Sequence, residues 1–237
     1  MRLASGKALM GFAVLTGLAA LVAESGCGPI TGCIEAQIKA KLPSAIGPAD
    51  NYEVRLADTS ALSLLRGKVG RIHIEGTGVR PKDMPVIKHM VIDARHIKAD
   101  MQQRTVNSVA ETTFQVELDQ DDLRDFLRSK YDDQADVTIK ESGLTLSTLR
   151  SISGLRVCIT ANGYLVPDNE QQVSFCLTKL YVSKLPLPPK LAEKIIASYN
   201  PVFDASNLPF TMRIRKLTLQ ERRVIISGEA DGYLNKF

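Results

Sequence analysis

Three histidines, His73, His89 and His96, are the first residues in this chain able to bind metal or move protons at neutral pH. All fall in stretches that alternate apolar and polar residues, and none stands in an HExxH or other ligand spacing. Solvent-facing strand positions are therefore expected for them. The acids Asp119, Asp121, Asp122 and Asp125 open the run "DQDDLRDFLRSKY". Calcium would require an oxygen-rich loop with a turn-making glycine, which this run lacks. Acids at a helix start are expected to cap it and to meet its positive end. Asp132, Asp133 and Asp136 form a second cluster, read as an exposed loop. "HIKAD" resembles the start of a phospholipase D signature, but its aspartate comes too early and the motif occurs once. There is no GxSxG elbow and no glycine-rich phosphate loop with a lysine. Two carboxylates distant in sequence that meet in the fold stay open as a source of acid–base chemistry. No metal, cofactor or nucleic-acid site is expected.

The cysteines divide into two pairs. Cys158 and Cys176 lie in "LRVCITANGYLVPDNEQQVSFCL". A turn at Pro167-Asp168-Asn169 would fold this stretch into a hairpin centred on residue 167, with the two cysteines opposite each other. A cross-strand disulfide and two facing reduced thiols are both open. Cys27 and Cys33 follow a different pattern. Two positive charges in "MRLASGK" precede 16 uncharged apolar residues, Ala8 to Ala23, and then small residues in "ESGCGPITGC". Charged start, apolar centre and small-residue exit form a secretory signal. The run is shorter than the roughly 20 residues of a membrane span. Residues 1–26 are accordingly read as a signal peptide or a short N-terminal anchor, and residues 33–237 as one domain exported to the cell envelope. Bacterial lipoproteins are cut just before a cysteine that becomes acylated. Cys27 is the expected attachment point, Cys33 the alternative, and cleavage after Ala23 with both thiols retained is a third reading.

Basic residues form two sets: Arg213, Arg215, Lys216, Arg222 and Arg223 near the C-terminus, and Arg66, Lys68 and Arg71 after a leucine cluster. A solvated sheet face is the plain account. If the sets converge, they would attract a lipid phosphate, arginine through two parallel hydrogen bonds.

These residues must be placed by a chain of 237 residues with 44% hydrophobic and 24% charged content, an ordinary globular balance. Aromatics are only 5% and tryptophan is absent, so the interior is aliphatic. The net charge of +4 is too small for the footprint of a nucleic-acid binder. Ile34, Ile38 and Leu42 recur at helical spacing before Pro43, which is expected to end or bend that helix. "NYEVRLA" alternates as a strand. In "ALSLLRGKVGRIHIEGTGV" a short helix, capped by Thr59 or Ser60 and stopped at Gly67, feeds a strand. Leu62, Leu64 and Leu65 cannot all face one side of it. Further strands are expected in "VIKHMVIDARHIKADM" and "SVAETTFQVEL", a hairpin at Ser142-Gly143, and a last hairpin at Glu221-Arg222 with a bulge at Arg215-Lys216. "LPLPPKLAEKIIASYNPVF" reads as a proline-led helix. Short links make the strands antiparallel. The fold class is α+β, with a strongly curved antiparallel sheet wrapped around helices.

"LLRGKVGRIHIEGTGV", "FQVELDQDDLRDFL" and "KLPLPPKLAEKIIASYNPVFDASNLPFTMRIRKLTLQERRVIISGEA" occur in the order seen in the LmeA-like family of bacterial envelope proteins. The resemblance covers roughly Ile34 to Asp231 and rests on that ordered set. It implies a fold similar to tubular lipid-binding proteins of the bactericidal permeability-increasing type. It also implies non-enzymatic binding of phospholipid or another acyl lipid in an apolar groove at the membrane surface. The expected groove residues are Leu62, Leu65, Phe114, Leu123, Phe126, Leu127, Ile195, Ile196, Tyr199, Phe203 and Phe210. The expected headgroup residues are Arg66, Lys68, Arg213, Arg215 and Lys216. An envelope hydrolase or transferase acting on a lipid-linked substrate, and a scaffold of an assembly complex, are the alternatives. The family carries over no catalytic residues.

Overall fold

A computed structural model describes residues 30–100, 105–130, 134–152, 155–188, 190, 200–204 and 212–230. In chain order the elements are α1 (Ile30–Ala45), β1 (Asn51–Ala57), α2 (Ala61–Leu65), β2 (Lys68–Val79), β3 (Ile87–Asp100), β4 (Thr105–Asp119), α3 (Gln120–Lys130) and β5 (Asp136–Lys140). They continue with β6 (Gly143–Ile152), β7 (Leu155–Asn169), β8 (Gln172–Val182), β9 (Leu185–Pro186), β10 (Phe203–Asp204), β11 (Met212–Gln220) and β12 (Arg223–Ala230).

Every strand pair is antiparallel, as the short links require. The strands do not form one sheet rolled around helices. They form two open sheets: sheet A, ordered β1-β2-β3-β4-β12-β11, and sheet B, ordered β10-β8-β7-β6-β5 with β9 added to β8. The chain leaves sheet A after β4, builds sheet B, and returns with the β11–β12 hairpin to pair beside β4.

Local sequence explains the helices. Ile34, Ile38 and Leu42 are buried along one stripe of α1. Pro43 lies inside the last turn of α1, which runs on to Ala45. Glu35 fixes this helix to the edge of sheet A, its carboxylate accepting the Leu56 N–H at 2.7 Å. In α2 the Ser60 hydroxyl caps the Ser63 N–H, and Gly67 ends the turn at φ +68°. Asp119 accepts the Asp121 N–H at 3.0 Å in front of α3. Arg124 binds Asp121 and Asp136, and Arg222 binds Asp121 at 2.6 Å, so the acidic run is tied up in capping and ion pairs.

One apolar cluster joins both sheets. Its seam is a short ladder. Gln120, buried, accepts the Ile139 N–H on its side-chain oxygen at 2.8 Å. The Gln120 N–H donates to the Arg222 carbonyl, and the Arg222 N–H to the Ile139 carbonyl. At the other end of β11, the Ile214 N–H donates to the Glu170 carbonyl at 2.6 Å. The expected bulge is present, as a register shift between Ile214 and Lys216. Among the described residues, no helix is long and apolar enough to cross a membrane.

The cysteine hairpin differs from expectation. Its turn lies at Glu170–Gln171, and the register shifts between Asn162 and Gly163 and again between Pro167 and Asn169. Cys176 consequently faces Tyr164, while Cys158 faces Leu149 on β6. The two thiols do not meet, and neither is in a disulfide. Sequence reading placed the turn about three residues too early, because Pro167, Asp168 and Asn169 continue β7, and that offset alone separates the thiols.

Candidate functional site

Alternation sets the two faces of each sheet. On sheet A, Ile72, Ile74, Met90, Phe114, Val116, Val224 and Ile226 turn inward and are buried. The outer face carries Arg71, His73, Glu75, His89, Asp93 and Glu117 in facing registers. His89 lies 2.7 Å from Glu75, and His73 lies 3.2 Å from Asp93, which also binds Arg71 at 2.5 Å. His73 and His89 are therefore partners in a compensated surface. The Arg71 guanidinium beside Asp93 holds its carboxyl below the usual range, and His89 does the same for Glu75.

A concave region of about 420 Å³ sits on this outer face, lined in part by Asp93, Thr113, Gln115, Arg215, Ser227 and Glu229. Its charges are matched: Arg215 binds Glu229 at 3.1 Å and Glu170 at 3.4 Å. Val91, Phe114 and Gly228 complete the lining, so apolar and charged groups share it.

Sheet B offers the opposite surface. Its inner face aligns Val137 and Ile139 with Leu146 and Leu144, then with Ala161 and Gly163, then with Leu180 and Leu177. Ile159 and Val182 extend the same face, and Leu165 faces Phe175. Gly163 leaves no room for a side chain there, since a Cβ would come within 2.6 Å of the Phe175 ring and 2.3 Å of the Cys176 carbonyl. Coverage is uneven over this face. Val137, Ile139, Leu144, Ala161, Phe175 and Leu180 are buried. Leu146, Leu165, Leu177 and Phe203 are only partly covered among them, as are Ile159 and Leu187. In the row farthest from the seam Leu185, in register with Val182, is 72% exposed, while Leu149, in register with Cys158, is 47% exposed on the opposite face. This is an aliphatic face that the described residues do not fully cover.

The expected groove residues are scattered by comparison. Leu64 is the leucine of α2 that packs inward, while Leu62 and Leu65 are each 57% exposed. Phe114 is filled core of sheet A. Leu123 and Leu127 rest on the core, and Phe126 lies under the Lys130 ammonium, 5.1 Å from its ring centroid. Among the described members of the set, Phe203 alone reaches sheet B, on β10 opposite Val173. Ile195, Ile196, Tyr199, Phe210 and Cys27 lie outside the described residues.

Of the two basic sets, Arg71 reaches the region that Arg215 lines through its ion pair with Asp93, while Lys68 stands apart from Arg213. Arg213 lies in the cross-strand row of Glu229, Thr113, Asp93 and His73. Lys68 opens β2 five residues before His73, about 17 Å away along the strand, on the far side of β3 and β4. Arg213 and Arg215 are moreover engaged by Glu170. Lys216 is exposed on the β11 edge, and Arg66 and Lys68 are exposed beside α2.

The described residues thus present a partly uncovered aliphatic surface on sheet B. A family model of LmeA-like phospholipid-binding proteins matches residues 28–229. The chain belongs to this LmeA-like family. The match spans both sheets and the seam between them, so the domain described here is the family's domain. No curated protein and no solved structure matches the chain. Sequence reasoning missed Leu146, Ile159, Leu177 and Val182. Their alternation in "LTLSTL", "VCITA" and "CLTKLYV" was visible, but nothing local marks which face a second layer leaves open.

Proposed function

We propose that this LmeA-like protein binds phospholipid without chemical conversion, laying acyl chains along the inner face of sheet B. The observation that carries this reading is one continuous aliphatic surface left partly uncovered, from the buried Val137, Ala161 and Leu180 out to the half-covered Ile159 and Val182 and the exposed Leu185. A chain leaves a bilayer only for surroundings of similar polarity, and each methylene covered contributes about 0.8 kcal/mol. Aliphatic side chains match acyl chains of many lengths, so selection among lipids falls to the headgroup. Binding of this kind serves a carrier or a sensor in the envelope.

Residues 1–26 direct export in this proposal, and Cys27 holds the protein at the membrane. Cys33 suits acylation less well, because it sits half-buried in the first turn of α1. The mass of the N-terminal peptide from the native host distinguishes the two cysteines.

The decisive experiment uses the full chain and a phosphatidylcholine bearing a photoactivatable diazirine in its acyl chain. Crosslinks are expected within residues 144–166 and 173–187, competed away by unlabelled lipid, with the lipid recovered intact. Crosslinks confined to the outer face of sheet A would overturn the assignment, and release of fatty acid would favour the hydrolase.

A further inference from the structure

We propose that the end of sheet B farthest from the seam is a docking rim for an anionic bilayer, with Leu149 and Leu185 entering the interface and Arg156 and Lys184 meeting lipid phosphates. This rests on the lipid-binding reading above and deepens it, by naming the end through which a lipid would pass.

The first observation is geometric. Leu149 faces Cys158 across β6–β7, and the Cys158 carbonyl accepts the Ser183 N–H at 2.7 Å. At about 4.8 Å per strand, Leu149 and the turn at Ser183 lie roughly 10 Å apart. Ser183 and Lys184 both adopt left-handed φ, 48° and 71°, in a two-residue hairpin turn that presents Leu185 to solvent. Arg156 faces Ser151 two positions farther out, and both Arg156 and Lys184 are exposed.

The second is charge. Residues 142–167 and 171–190 contain no carboxylate, yet carry Arg150, Arg156, Lys179, Lys184 and Lys190. The acids of the sheet B hairpins, Glu141, Asp168 and Glu170, gather in the turns at the seam end. Asp136, opposite Ser147, is bound by Arg124. The rim therefore pairs exposed apolar side chains with cations of one sign, the combination that seats a surface in the headgroup region of an anionic membrane. The aliphatic face opens toward the same end. The α2 tip has exposed leucines and cations as well, but Leu64 closes it against sheet A, and no open aliphatic face adjoins it.

The test is hydrogen–deuterium exchange on the full chain bound to phosphatidylcholine vesicles, with and without phosphatidylglycerol. Arg2 and Lys7 draw the N-terminal run to anionic vesicles as well, so the readout is the exchange of domain peptides and its loss in rim variants that leave the N-terminus unchanged. Peptides covering 149–159 and 181–187 are expected to slow in the anionic vesicles. Arg156→Gln and Lys184→Gln should each weaken that protection roughly fivefold. Leu149→Ser with Leu185→Ser should abolish it, without unfolding a domain in which both leucines are exposed. Equal exchange in the two compositions, or protection at residues 61–68 instead, would overturn the rim. Binding of monomeric dihexanoyl-phosphatidylcholine separates the two readings. If the rim is protected but this lipid does not bind, the aliphatic face fails and the rim stands; the reverse pattern sinks the rim alone.

Discussion

Replacing Gln120 by methionine tests the seam that holds the two sheets in register. The change preserves length and approximate volume and removes only the amide. In the native protein the Gln120 oxygen accepts the Ile139 N–H at 2.8 Å, and Ile139 is fully buried. Methionine relieves the cost of burying an amide but leaves that N–H without an acceptor, which costs about 1–3 kcal/mol. For a domain of this size each kcal/mol lowers Tm by about 2–4 °C, so a fall of about 2–12 °C is expected. Scanning calorimetry reads the shift, and hydrogen exchange should show the Ile139 amide losing protection ahead of residues in the middle of sheet A. Asp121→Asn provides the contrast. It weakens exposed ion pairs to Arg124 and Arg222, each worth less than about 1 kcal/mol. A Gln120→Met protein melting within a degree of the parent, with Ile139 still protected, would show that packing alone joins the sheets.

Two further predictions concern pH. Burial pushes the Tyr52 phenol up to about 12, and its hydroxyl donates to the Gly47 carbonyl at 2.8 Å. Its contribution to stability should be complete below about pH 10 and lost as pH rises toward 12; ultraviolet titration should show one tyrosine ionising late. Tyr52→Phe should cost about 1 kcal/mol at neutral pH, measured by urea unfolding, and should remove the late transition. Asp93, held down chiefly by Arg71, contributes above the ordinary carboxylate range, and its contribution disappears as pH falls through its lowered value. Asp93→Asn should lower Tm by about 1–3 °C at pH 7, with parent and variant converging near pH 2.

Alternation and helical spacing marked the elements because each reports a local period. Ile34, Ile38 and Leu42 had to share a stripe, Ser60 could cap α2, the acids after Asp119 suited a helix start, and the slip between Ile214 and Leu217 required a bulge. His73 and His89 on alternating strands had to face solvent once their neighbours faced inward. Other features depended on the sum of distant choices. A turn at Glu170–Gln171, instead of Pro167–Asn169, set Cys176 opposite Tyr164 and away from Cys158. Most strands were readable, but the division into two open sheets was set by Gln120 and Arg222 meeting Ile139, a contact among three residues far apart in sequence. The same holds for the open face. Leu144 and Leu146 look alike in sequence, and only what packs above each decides that one is buried and the other half-covered. Period is a property of the chain; coverage belongs to whatever packs above it.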